Sequence, residues 1–232
     1  MLKHLKFKQI LYVLIAVCLI VRFTFILAVQ QLPVMWDARI YSSAAIGLIH
    51  YLNKPDRFGH PENDTSADST FFRAQFEYEM KNLIQGEQIN WLYYTVPTST
   101  EAQDFLFLSG PIYPIYLAVL FYVCPAGDFI LVRILNVLIE TLCLLLLVLI
   151  ARRLFGERAA FLAGLLYIFY LPFILLAGMV SPEPMTILMI LLTSFLILQW
   201  YDRQNAGYIY FIGAILGILA LLKPTAVMLF IP

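Results

Sequence analysis

Three charged side chains stand where apolar runs of this chain meet polar sequence. They are Asp37 in Trp36-Asp37-Ala38-Arg39-Ile40-Tyr41, Glu183 in Ser181-Pro182-Glu183-Pro184, and Lys223 just before Pro224. A carboxylate in such a place can act as a general base, ligate a metal ion or anchor a substrate. A lysine can hold a phosphate as a point charge. Tyr41 shares a helical face with Asp37 by its i, i+4 spacing, whereas Arg39 points away and is the weaker phosphate ligand. Each charge also has a plainer reading. Glu183 at a helix start offsets the helix dipole, Asp37 is a solvated boundary charge, and Lys223 is a cation snorkelling to the interface. His60 is a lone loop histidine, and no His, Cys, Asp or Glu spacing marks a metal site.

These side chains are carried by membrane-spanning elements. The chain is 62% hydrophobic and 13% charged, with a mean hydropathy of +0.83, which excludes a soluble globular domain. Apolar runs of about 20 residues cross a hydrocarbon core of roughly 30 Å as helices. Five runs are read as spans: 10–32, 129–151, 158–179, 184–201 and 207–222. The fold class is therefore all-α, a polytopic transmembrane helical bundle. The first run lacks the small-residue cleavage site of a signal peptide and stays in the protein.

Charge sets the expected orientation. Between Pro33 and Ser109 there are ten acidic and five basic residues, and elsewhere five acidic and ten basic. The basic excess sits at Lys3, Lys6 and Lys8, at Arg152, Arg153 and Arg158, and at Arg203. Basic short loops mark the cytoplasmic side. Alternating spans then put the N-terminus in the cytoplasm, and the acidic 33–128 loop, Glu183 and Lys223 on the extracytoplasmic side.

That topology requires 110–124 not to span. The segment contains Pro111 and Pro114 and is closed by Pro125, which suits a helix lying in the interface. A second interfacial helix is expected near 37–52, where Ile40, Ala44, Leu48 and Leu52 recur at helical spacing. The Pro-, Asp- and Asn-rich stretch 53–70 reads as loop. Cys18, Cys124 and Cys143 are read as small buried hydrophobes. No P-loop or dinucleotide fingerprint occurs, and nothing in the charge pattern suggests nucleic acid as a partner. The final stretch from Thr225 to Pro232 starts an apolar run too short to cross a bilayer, so the expectation is an N-terminal portion whose C-terminal part is missing.

Polar residues inside the spans need partners. An arginine at mid-bilayer costs about 2.5–3.5 kcal/mol on insertion scales. Arg22 and Glu140 enter from opposite surfaces and both fall roughly 16–18 Å deep, so a structural Arg22–Glu140 pair is expected. Arg133, Asn136 and Glu140 share one face by i, i+3, i+7 spacing and turn a polar stripe into the bundle.

Taken in order, these features resemble a known family. An arginine-bearing first span is followed by Asp37-x-x-x-Tyr41 and an Ala-rich helix, then by GPIYPIYLAVLF. Next come Arg133-Ile134-Leu135-Asn136, ARRLFGERAAFLAG at 151–164, the Ser-Pro-Glu turn and Lys223-Pro224. The order is similar to the polyprenyl-phosphate-sugar glycosyltransferases of the GT-C superfamily, above all the protein O-mannosyltransferase and aminoarabinose-lipid A transferase branch. The resemblance implies a membrane enzyme of the cell envelope, in a bacterial or archaeal plasma membrane. It would move a sugar from a polyprenyl-phosphate donor to a lipid, glycan or protein acceptor, with inversion. It implies Asp37 as the catalytic carboxylate with Glu183 as the second catalytic acidic position, and Lys223, Arg39 and Tyr41 as substrate- or phosphate-binding residues. The resemblance fixes no cofactor; a divalent cation, if one is used, would be held with help from Glu183. The family's His-Pro-Pro or Lys-Pro-Pro entry to the interfacial helix is Ser109-Gly110-Pro111 here.

The competing reading is a transporter or flippase using Arg22, Glu140 and Arg133 as its pathway. Against it stands the absence of any internal repeat and of paired Gly/Pro-broken helices. A third reading is an inactive fragment.

Overall fold

The computed structural model describes residues 7–29, 41, 45, 110–123 and 129–225. The described residues form helices and connections without strands. In chain order the helices are α1 (Phe7–Ala28), α2 (Ile112–Val123), α3 (Ile130–Phe155), α4 (Glu157–Phe169), α5 (Leu171–Gly178), α6 (Glu183–Arg203) and α7 (Gly207–Leu222). The chain divides into two compact units, Met1–Leu32 with Ile130–Pro232, and Pro33–Phe129.

The first unit is built around α3. This helix packs against α1, α4, α5 and α6, and α7 packs on α6. At 1.5 Å per residue α1 and α6 extend about 30 Å and α3 about 39 Å, enough to cross a hydrocarbon core. All three are apolar enough to do so. The buried positions of α1 are Leu14, Cys18, Arg22 and Ile26, each four residues on from the last, a stripe that faces neighbouring helices. Tyr12, Ile20 and Leu27 point outward, as lipid-facing side chains would. The core joins Leu14 and Cys18 to Cys143, Leu144, Val148, Ala160, Tyr167 and Ile168. Gly164 lets α4 come close, because a Cβ there would stand 2.8 Å from Leu14 Cδ1 and 3.1 Å from Val148 Cγ2.

The connections follow from local chemistry. Gly156 separates α3 from α4 at φ 86°, ψ 179°, a region open essentially to glycine alone. At this turn Arg152 donates to Glu157 at 3.0 Å and lies over the Phe7 ring at 3.8 Å, while Arg153 pairs with Asp202. The start of α1, the end of α3, the start of α4 and the end of α6 thus share one end of the bundle. That end carries the basic clusters.

One expected span is not a continuous helix. The run 158–179 is divided at Tyr170 into α4 and α5, bent by 53°. Tyr170 is extended, at φ −72° and ψ 109°. Pro172 explains the break, since it offers no N–H to the Ile168 carbonyl and its ring would collide with it. One such break is not the pair of Gly/Pro-broken helices that a transporter pathway calls for. Among the described residues it is a single bent pair. Other boundaries shift slightly, with α1 covering Phe7–Ala28, α3 extending to Phe155 and α6 to Arg203. The 16-residue α7 is shorter than the spans.

In the second unit α2 has 12 residues, about 18 Å of helix and too short to cross a bilayer. Gly110 precedes it at φ 89°, a left-handed conformation that glycine adopts without strain. Tyr113, Pro114, Leu117, Ala118 and Phe121 are its buried positions. Most of the 37–52 segment and all of 53–105 lie outside the described residues.

Candidate functional site

Glu183 and Lys223 are brought together. Lys223 Nζ donates to Glu183 Oε1 at 2.8 Å, and each side chain is about a third exposed, 35% for Lys223 and 34% for Glu183. The geometry comes from two antiparallel helices in contact, so that the first residue of α6 meets the residue that ends α7. Each charge also suits its own helix pole, a carboxylate at an N-terminus and a cation at a C-terminus. The pair is therefore favoured three ways, by mutual attraction and by two dipoles. Partial exposure screens it and leaves both groups within reach of a ligand.

Proline chemistry sets the start of α6. Pro182 is the N-cap and Pro184 follows Glu183, positions where a missing N–H costs nothing and a fixed φ favours the helix. Thr186 closes the first turn, both its N–H and its Oγ1 donating to the Pro182 carbonyl at 2.9 Å. Upstream, the buried Asn136 donates through Nδ2 to the Met179 carbonyl at 2.7 Å. That carbonyl follows the last residue of α5, where helix geometry no longer supplies a partner.

Deeper in the bundle a second constellation is closed off from solvent. Arg22 and Glu140 are both 0% exposed. Arg22 Nη2 donates to Glu140 Oε2 at 3.3 Å, and Nη1 to Cys18 Sγ at 3.0 Å. Tyr167 donates its hydroxyl to the same Glu140 oxygen at 2.5 Å, and its ring lies 5.2 Å from the guanidinium. α1, α3 and α4 therefore meet at one carboxylate. The sequence reading contained Arg22 and Glu140 but not Tyr167. A hydroxyl within an otherwise apolar run, on a chain already known to hold a buried acid, was the signal for it.

The remaining candidates are placed individually. Arg133 is half-buried on α3, one turn before Asn136. Tyr41 is buried and helical, its ring meeting Tyr113 edge to face at a centroid distance of 5.0 Å. Such a pair adds about 0.5–1.5 kcal/mol beyond burial, so Tyr41 has a packing role within its unit. Asp37 and Arg39 lie outside the described residues, as do His60 and Cys124. No group of three or more His, Cys, Asp or Glu side chains able to hold a metal ion occurs among the described residues.

Comparison with known proteins identifies the class. No curated protein and no solved structure matches the chain. The family model for dolichyl-phosphate-mannose-protein mannosyltransferase matches residues 109–232, more than half of the 232. The matched stretch contains α2 to α7, and with them Asn136, Glu140, Glu183 and Lys223. Together with apolar helices long enough to span a bilayer, the match makes this an integral membrane protein of the glycosyltransferase class. The chain belongs to the dolichyl-phosphate-mannose-protein mannosyltransferase family.

Proposed function

We propose that the protein transfers a sugar from a polyprenyl-phosphate donor to an acceptor hydroxyl or amine at the extracytoplasmic face of a membrane, with inversion at the anomeric carbon. Family membership supports the reaction class. The observation that carries the site is the Glu183–Lys223 pair, 2.8 Å apart and partly open, within the matched stretch.

The acceptor attacks the anomeric carbon, and the bond from that carbon to the phosphate oxygen breaks. The electron pair leaves with the polyprenyl phosphate. Lys223, with Arg39, stabilises the charge that grows on the phosphate. Asp37 takes the proton from the attacking group as general base. Glu183 orients Lys223 and the reacting partners, and it is the side chain that would hold a divalent ion if the reaction used one. A sugar already activated by phosphate needs no nucleotide site. The basic ends formed by Arg152, Arg153 and Arg203 favour the cytoplasmic side for that end, which leaves the Glu183–Lys223 end outside.

Labelled sugar supplied on a polyprenyl phosphate to membranes carrying the intact gene tests the reading. Transfer to an endogenous acceptor is expected, with label lost when Lys223→Met is introduced. Full transfer by Lys223→Met would remove Lys223 from the site, and no transfer by the wild type from any polyprenyl-phosphate sugar would end the reading.

A further inference from the structure

One face of α3 holds the segment that delivers Glu183. Asn136, Glu140 and Cys143 follow one another at i, i+4, i+7 and so line the same side of the helix. Asn136 donates to the Met179 carbonyl at 2.7 Å. Glu140 accepts from Tyr167 at 2.5 Å. The Cys143 thiol donates to the Pro184 carbonyl at 3.9 Å. Their partners lie just before the Tyr170 break, just after α5, and just after Glu183. α5 is only eight residues long and is bent away from α4 by 53°, so its own backbone does little to fix where it ends. Met179 is extended, at φ −94° and ψ 149°. Its carbonyl is four residues before Glu183, and the Asn136 amide that meets it is 1% exposed.

We propose that Asn136 is a positioning residue for the Glu183–Lys223 pair, holding the Met179 carbonyl so that the Ser181-Pro182 turn sets Glu183 against Lys223. Asn136 touches neither charge. It acts through four residues of backbone whose freedom is already reduced by Pro182. This rests on the reading of Lys223 as the phosphate ligand only where function is measured; the geometric part is independent of it.

A double-mutant cycle tests the coupling. The probe is a polyprenyl monophosphate, titrated onto the intact protein in nanodiscs. Asn136→Leu, similarly branched but without a donor, is expected to weaken binding about tenfold, the scale of one lost hydrogen bond. Asn136→Ala repeats the measurement should the leucine variant fail to insert. In a Lys223→Met background neither change is expected to weaken binding further, since the group being positioned is gone. An unchanged affinity for Asn136→Leu overturns the role, and so does an equal tenfold loss in the Lys223→Met background, which would place the action of Asn136 elsewhere. Wild-type affinity in Lys223→Met alone would instead overturn the phosphate reading. Cross-linking then decides the positioning role separately. A protein carrying Glu183→Cys and Lys223→Cys is treated with a short bis-maleimide, with and without Asn136→Leu. A several-fold drop in cross-linking rate supports the role, and equal rates overturn it.

Discussion

Glu183 and Lys223 are 40 residues apart in sequence and 2.8 Å apart in space. They join the start of α6 to the end of α7. Losing Lys223 leaves a partly exposed carboxylate where a phosphate would sit, and so replaces attraction by repulsion. Lys223→Met is expected to lower the transfer rate by about 10²–10³-fold, the range seen when one charge-stabilising donor is removed from a reacting centre. Lys223→Arg keeps the charge and is expected to lose less. The measurement is initial-rate transfer from labelled polyprenyl-phosphate sugar.

Asp37 follows the first span and carries the proposed proton transfer. Asp37→Asn keeps the shape of the side chain and removes its basicity. General-base assistance is typically worth about 10²–10⁴-fold, and a loss of that size is expected in rate, with donor binding little changed. Full activity in the asparagine variant would exclude Asp37 as the base.

The Arg22–Glu140 pair makes a prediction about stability instead. Both partners are fully buried, so removing one strands the other. Glu140→Ala is expected to destabilise the folded bundle by about 3–5 kcal/mol, whereas replacing both with apolar residues of similar volume is expected to be far milder or neutral. Thermal unfolding in detergent or nanodiscs would read this. Equal destabilisation in the single and double variants would argue against a paired arrangement.

At Gly156 the expected effect is local and conformational. A side chain there meets no neighbour within 4 Å, so crowding is absent and only the backbone objects. Gly156→Ala is expected to cost about 1–3 kcal/mol because its φ of 86° with ψ 179° is closed to other residues. Unchanged thermal stability would contradict the turn geometry.

At Gly164 the cost has the opposite origin. Its backbone is ordinary helix and its surroundings are tight. Gly164→Leu is expected to destabilise by about 1–3 kcal/mol through overpacking against Leu14 and Val148. Gly164→Ala, helped by better helix propensity and opposed mainly by the flexible end of Leu14, is expected to change stability less.

Much of the fold was legible in the sequence because transfer into lipid is decided residue by residue. Apolar runs near 20 residues marked α1, α3 and α6, the three single helices long and apolar enough to cross a bilayer among the described residues, without any knowledge of their neighbours. The helical period also marked Arg133, Asn136 and Glu140 as one face, since spacing alone decides that. Pro111, Pro114 and Pro125 marked out a short element at 110–124, and α2 is a helix of 12 residues. Pro172 was equally visible and its consequence was not drawn, because an apolar run scores the same whether or not the helix inside it bends.

What the tertiary structure decided are the pairings. The sequence by itself placed Glu183 and Lys223 at the same end of the bundle, since span direction alternates, but could not make them partners. That required α6 and α7 to be adjacent, which is a property of packing between helices. The same holds for Tyr167, whose hydroxyl became informative only when α4 brought it to Glu140. Asn136 was marked as polar and inward-facing from its spacing, yet its acceptor is a backbone carbonyl created by the end of α5. A carbonyl has no sequence signature. It becomes a site only when a helix ends beside a donor, and that meeting is fixed by three-dimensional structure alone.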